Sequence, residues 1–142
     1  MISSPDFPRL TSSNHTVTSA ATTDYNCIAW AAGDTAHWWQ PGVYWPLAST
    51  TDTFGANSLV QAFTALGFDT CMDGAPEPGA EKIAVYAAGE FYTHAARQLP
   101  NGKWTSKLGA AEDIEHDTAE DVAGGLYGVV VQFMTRARQS LA

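Results

Sequence analysis

The sequence predicts an α+β domain in which an N-terminal helix that carries a cysteine packs on an antiparallel β-sheet. Two observations predict this class. Two segments with apolar residues at helical spacing lie in the first half of the chain. Three β-rich segments then follow in quick succession, joined at Gly89 and at Asn101-Gly102, which is typical of an antiparallel meander. With 142 residues the chain fits one domain, which we expect over 24–142, after an extended N-terminal arm over 1–23.

The first element after the arm is the helix with the cysteine. Asp24 or Asn26 can cap it, and Gly33 suits its C-terminal end, so its apolar body covers 28–32. Cys27 therefore falls in the first helical turn, where the positive end of the helix dipole would lower the pKa of a thiol.

An aromatic segment comes next. Pro41 and Pro46 forbid a regular helix or a central strand here, so we expect a long loop over the body of the domain. Its aromatic side chains are candidates either for packing in the core or for the wall of a ligand pocket. They are Trp38, Trp39, Tyr44 and Trp45.

The remaining elements follow from periodicity and from turn residues. In chain order we expect a helix over 56–66, a short strand over 68–72, strands over 82–88, 91–99 and 103–108, a short strand around Ile114, a helical turn over 118–123 capped by Thr118, and a last strand over 127–134.

Composition and charge restrict the possible partners. The net charge is -8, from 15 acidic and 7 basic residues, so a nucleic acid or an anionic membrane would be repelled. No apolar stretch approaches the ~20 residues that a membrane helix needs, and we see no signal-peptide pattern. Two cysteines are too few for a disulfide framework, so we expect a cytoplasmic protein with reduced thiols. An effector exported by a non-classical route would have the same composition.

Cys27 and His94 are the strongest candidates for chemistry. A thiol is a strong nucleophile only as a thiolate, and an imidazole within reach favours that form. Of the four histidines, only His94 belongs to a rigid element, where a base can be held in place. The simpler alternatives are a buried, unreactive cysteine and a structural histidine.

A catalytic histidine also needs an acceptor that orients it. The next strand offers Thr105 and Ser106, and the loop beyond it offers Asp113. The length of the hairpin loop after the strand of His94 decides which residues share its face. A two-residue loop brings Thr105 and Lys107 there. A three-residue loop brings Trp104 and Ser106, and we take Ser106 as the acceptor. A metal-dependent hydrolase is a further alternative, but no ligand spacing such as HExxH supports it, and we expect no metal or cofactor.

The strings NCIAWA and KIAVYAAGEFYTHAA resemble the NlpC-type and CHAP-type cysteine peptidases and amidases of the papain-like superfamily. The resemblance implies a papain-like core with Cys27 as the nucleophile. In the NlpC-type pattern, Lys82 stands where the base histidine belongs and His94 stands at the orienting position. We therefore expect His94 to act as the base, in the order that papain and CHAP-type members use. Nearly all of the chain after the arm also looks like a widespread bacterial domain family of unknown function.

The leading hypothesis is a cysteine hydrolase or acyltransferase that acts on an amide or thioester of a small molecule or peptide. Cys27 would attack the acyl carbon, and His94, oriented by Ser106, would take and return the proton. The residues expected to bind the substrate are Trp39, Trp45 and Lys82. The alternative is a non-catalytic binding or interaction domain on the same scaffold, in which Lys82 marks the loss of the base. The oligomeric state is not predicted.

Overall fold

The structure is a computed structural model that describes residues 7–11, 13–19, 24–35, 38–39, 55–108 and 112–137. These residues form one antiparallel sheet of seven strands, two short α-helices and a 3₁₀ turn. In chain order the elements are β1 (His15–Ser19), α1 (Cys27–Ala31), α2 (Ala56–Ala65), β2 (Asp69–Cys71), β3 (Ala80–Ala88), β4 (Phe91–Gln98), β5 (Trp104–Lys107), β6 (Asp113–His116), the 3₁₀ turn (Ala119–Val122) and β7 (Val129–Ala137).

The strand order in the sheet is β1-β6-β5-β4-β3-β7-β2, and each pair in this order is antiparallel. Strands β3 to β6 form a meander, in which each strand pairs with the one that follows it. β7 returns to the outer side of β3, and the N-terminal strand β1 pairs with β6 at the opposite edge. β2 is the other edge strand, and its three residues cover only part of β7.

The two faces of the sheet carry separate apolar cores. On the first, here called the helix face, α1 and α2 form one core with Val85 and Ala95. On the second, the turn face, the 3₁₀ turn and Phe7 form one core with Tyr86 and Ala96. Successive strand residues point to opposite faces, which is why β3 and β4 each contribute to both cores.

Most of the predicted elements are confirmed, with boundaries shifted by a few residues. The β4–β5 hairpin has the three-residue loop, because Leu99 N–H bonds to the Lys103 carbonyl and Gly102, with φ +88°, closes the turn. The predicted cap of the 3₁₀ turn is present, since both the backbone N–H and the hydroxyl of Thr118 donate to the Asp121 carboxylate at 2.9 Å.

The predicted papain-like α+β core is wrong, because the fold is a β-rich one built on a seven-stranded sheet. The helix that carries the cysteine has five residues and ends before Gly33, whose φ is +82°. Part of the expected N-terminal arm is strand β1, whose central residues Thr16, Val17 and Thr18 are β-branched and favour a strand. The sheet therefore extends well beyond the predicted meander.

The predicted aromatic loop covers 37–49, and its residues 37 and 40–49 lie outside the described residues. Trp38 and Trp39 are described, and Trp39 is buried in the core of the helix face. Within the described ranges, neither α1 nor α2 is long and apolar enough to cross a bilayer.

Candidate functional site

Cys27 is the first residue of α1 and lies in the core of the helix face. Asn26 caps the helix, since its Oδ1 accepts from the backbone N–H of Ala29 at 3.1 Å. Cys27 is almost closed to solvent, with 7% of its surface exposed. Burial raises the pKa of the Cys27 thiol to about 11, and a backbone hydrogen bond at Ala95 and the charge of Lys107 oppose this only in part. The thiol is therefore protonated near neutral pH.

His94 lies in the middle of β4 and points to the turn face. Its ring stacks on Tyr127, with 4.0 Å between the ring centroids and 6° between the planes, and the Tyr86 ring lies 5.0 Å away. The side chain is fully buried. Burial first, and then the neighbouring His116, hold the pKa of His94 well below its usual value. His94 is therefore a neutral imidazole packed between aromatic rings.

The sheet separates Cys27 from His94. Ala95 shares the core of Cys27, whereas His94, one residue earlier in β4, points to the other side. The structure therefore does not form the predicted thiol–imidazole pair. The alternation along β4 could be predicted from the sequence, but the side on which α1 packs could not, because it depends on contacts between distant segments.

A chain of hydrogen bonds links His94 to His116 through Ser106. Ser106 Oγ lies 2.9 Å from His94 Nε2 and 2.7 Å from His116 Nε2, and His116 Nδ1 lies 2.7 Å from the Thr118 carbonyl oxygen. A carbonyl oxygen only accepts, so His116 Nδ1 must donate to it. The Nε2 of His116 then accepts from the Ser106 hydroxyl, whose oxygen accepts in turn from Nε2–H of His94. His94 Nδ1 is left as an acceptor, and it has no hydrogen-bond partner within the described residues.

This histidine–serine chain is closed to substrate. His94, Ser106 and His116 are all fully buried, and together they join β4, β5 and β6 to the 3₁₀ turn. Burial lowers the pKa of His116, although its bond to Thr118 and the charge of Asp121 act in the opposite direction. The arrangement suits a structural network that fixes the turn face.

The charged neighbour of Cys27 is Lys107 of β5, on the helix face. Its Nζ lies 5.5 Å from the centroid of the Tyr25 ring, and the Tyr25 hydroxyl donates to Asp113 Oδ2 at 2.7 Å. Burial lowers the pKa of Lys107, while the charge of Asp113 raises it. The position of Lys107 could be predicted from the sequence. Side chains alternate along β5, so Ser106 points to the turn face and Lys107 points to the helix face.

Of the residues expected to bind the substrate, the two that the structure describes, Trp39 and Lys82, do not share one site. Trp39 is buried in the core, and Trp45 lies outside the described residues. Lys82 is also buried, and its Nζ pairs with Glu77 at 2.9 Å and with Asp73 at 3.3 Å. Among the residues that the structure describes, no group of three or more His, Cys, Asp or Glu is placed to hold a metal ion.

An open edge on β7 is the feature that sequence reasoning missed. β2 pairs with Phe133–Thr135, and among the described residues no strand pairs with Val129–Gln132 on the side away from β3. Val129 and Val131 are 54% and 45% exposed, and Met72, just beyond β2, is 98% exposed. The run VVVQFM, which has no charged residue, predicted a strand but did not indicate how much of it a neighbour would cover.

Two cavities beside this edge share one wall residue, Phe133, and are here called the Phe133 groove. The first has a volume of about 230 Å³ and is lined by Cys71, Met72, Val130, Val131, Gln132 and Phe133. The second has a volume of about 270 Å³ and is lined by Gly74, Gly102, Trp104, Asp117, Thr118, Ala119, Glu120 and Phe133. The first cavity therefore lies at the apolar strand edge, and the second has two carboxylates in its wall.

A family model matches most of the chain. The match covers residues 16–135, from β1 to β7, and the family is described as Domain of unknown function (DUF7689). No curated protein and no solved structure matches the chain. These comparisons supply a family but no activity.

Proposed function

The chain belongs to the DUF7689 family of unknown function, and we propose that it is a non-catalytic protein-binding domain. Its partner contributes an extended strand that pairs with the open edge of β7 at Val129–Gln132. The observation that carries the proposal is a strand edge, unpaired within the described residues, with exposed apolar side chains beside it. Main-chain hydrogen bonds at such an edge give affinity, and pockets for alternate side chains give specificity.

The composition of the edge supports a binding role. Proteins usually protect an exposed edge with lysine, proline or inward-pointing charges, and the segment Val129–Met134 contains none of these. β7 shifts register against β3 between Val130 and Gln132, which leaves Val131 as an exposed bulge residue. Exposed apolar side chains that cluster at one place are typical of contact surfaces.

The surroundings of Cys27 also favour binding over catalysis. With a pKa of about 11, little of the thiol is ionised near neutral pH. His94 lies across the sheet from it, and a base must come within hydrogen-bond reach of the proton that it removes.

A cysteine hydrolase or acyltransferase is the second candidate, and one observation favours it. The charge of Lys107 acts on Cys27, and burial lowers the pKa of Lys107. In that case Lys107, and not His94, would receive the thiol proton. The likeness to NlpC-type and CHAP-type enzymes would then be confined to the motif around Cys27.

A cytoplasmic location is also a proposal, supported by the free thiols of Cys27 and Cys71.

The binding proposal is tested with a synthetic peptide, acetyl-Thr-Val-Thr-Val-Thr-Val-amide, titrated into isotope-labelled protein. We expect amide chemical-shift changes centred on Val129–Gln132, because the peptide adds a strand there. Val131→Lys should abolish them, since a lysine blocks an edge. Val17→Lys is the matched control, because Val17 is 48% exposed on the edge strand β1 and should leave peptide binding intact.

A second peptide tests the mode of binding. Methyl groups on alternate backbone nitrogens remove the donors that face β7, so this peptide should not bind. Binding that survives N-methylation, or that responds equally to Val131→Lys and Val17→Lys, would overturn the proposal.

A further inference from the structure

The Phe133 groove also indicates the chemistry of the partner, given the strand-binding function proposed above. We infer that the partner strand carries a basic side chain, arginine or lysine, which passes Phe133 and enters the cavity beside Trp104 and Glu120. The strand edge would supply affinity, and this cavity would select the partner.

The position of Phe133 connects the two parts of the groove. β7 and β5 are separated by β3 and β4 in the sheet, yet the rings of Phe133 and Trp104 lie only 5.9 Å apart between centroids. The sheet is therefore curled toward its turn face at this point. Since Phe133 also lines the cavity at the open edge, a side chain that leaves a strand bound there meets the Trp104 cavity next.

Gly74 keeps this part of the groove in shape. A Cβ added at Gly74 would lie 2.8 Å from Phe133 Cε1 and 2.9 Å from Trp104 Cζ2, which is closer than real Cβ atoms approach. Gln98 Nε2 donates to the Gly74 carbonyl at 2.6 Å and holds this backbone in place. The Gly74 backbone therefore packs directly against both rings and fixes the aromatic wall of the cavity.

The charges at the rim favour a cation. Asp117 and Glu120 line the cavity, and the nearby Asp121 adds a third carboxylate. Burial is the main cause of the raised pKa of Tyr86, and the negative charges of Glu120 and Asp121 raise this pKa further. The electric field of these two carboxylates therefore reaches the buried Tyr86 hydroxyl. The net charge of -8 acts in the same direction.

Lys103, the chain's own cation at this rim, pairs with Asp117 and not with Glu120. Lys103 Nζ lies 3.6 Å from Asp117 Oδ1, but both side chains are about half exposed, and such pairs are weak. Within the described residues, the Glu120 carboxylate has no ion-pair partner. A guanidinium or ammonium group between an aromatic wall and a carboxylate gains from both the ring and the charge.

The experiment compares two peptides that differ in one atom group. They are acetyl-Thr-Val-Arg-Val-Thr-Val-amide and the same peptide with citrulline in place of arginine, which keeps the shape and removes the charge. We expect the arginine peptide to bind about tenfold more tightly. Glu120→Gln should reduce this ratio toward one without weakening the citrulline peptide, whereas Glu90→Gln, on the β3–β4 turn away from both cavities, should leave the ratio unchanged.

The outcomes separate this inference from the function on which it rests. Equal binding of both peptides would overturn the basic-side-chain inference and leave strand binding standing. Failure of both peptides to bind would overturn both proposals. Sedimentation analysis could also find that the wild-type chain forms dimers and that Val131→Lys does not. That result would show that the edge binds a second copy of this chain, and it would overturn the inference.

Discussion

The carbonyl oxygen of Thr118 fixes the protons along the buried chain of His94, Ser106 and His116. It holds one proton on His116 Nδ1, and the hydrogen bonds of Ser106 then place another on His94 Nε2. An added proton must go to His94 Nδ1, which is buried without a partner within the described residues, or to His116 Nε2, where it reverses the bonds of Ser106. Either choice places a charge in the interior.

We predict that the free energy of unfolding falls as the pH is lowered below about 6.5. Both imidazoles have a lowered pKa in the folded state, so below the unfolded value the unfolded chain binds more protons. Stability is therefore lost over the interval between the unfolded and the folded pKa values, with a slope of up to ~2.7 kcal/mol per pH unit for two groups. Urea unfolding at a series of pH values measures this slope.

Two histidine variants provide the control for this prediction. His116→Gln should remove about half of the slope, because one of the two titrating groups is gone. His94→Gln should remove the other half, because His94 is the second imidazole whose pKa is lowered in the folded state. If the slope of stability against pH is unchanged in His116→Gln, the pH dependence does not come from this histidine, and the prediction is wrong.

Among the elements, β7 depends on one glycine for its approach to β3. Gly128 has a φ of +68°, in the left-handed region, and a Cβ there would collide with the carbonyl oxygen of Ala87. Its own carbonyl accepts from the Gly124 N–H at 2.7 Å, which closes the loop before β7. The start of the open edge is thereby held against the sheet.

We predict that Gly128→Ala destabilises the fold by about 3 kcal/mol, because it combines an unfavourable φ with a collision against backbone. Gly67→Ala is the matched control. Gly67 has a similar φ of +95°, but a Cβ there meets nothing within 4 Å, so the cost should be about 1 kcal/mol. Chemical denaturation measures the free energy of unfolding of both variants. Equal losses in the two variants would show that the collision with Ala87 does not add to the destabilisation.

Local signals were enough to predict most elements but not their arrangement. Turn residues and alternation gave the meander, and loop length decided that Ser106 faces His94. The strand at His15–Ser19 was hidden among Ser and Thr residues that also suit an extended arm. The position of Cys27 relative to the sheet depends on how α1 packs, and no local pattern encodes that contact.

In the whole molecule, one sheet divides the functional candidates into separate regions. The helix face holds Cys27 and Lys107, the turn face holds the chain that begins at His94, and the Phe133 groove has one cavity at the edge of β7 and one on the turn face. This division separates the predicted nucleophile from the predicted base, and our binding proposal rests on the strand edge of β7.

The measurement that tests this division most directly is the rate at which iodoacetamide alkylates Cys27 as a function of pH. A Cys71→Ser background leaves Cys27 as the single thiol, and His94→Asn is the comparison variant. We predict slow alkylation near neutral pH, a rate that rises continuously toward the thiol pKa of about 11, and the same profile in His94→Asn. A plateau reached below about pH 7 in the wild type and lost in His94→Asn would contradict the account, because it requires an imidazole in contact with a thiolate.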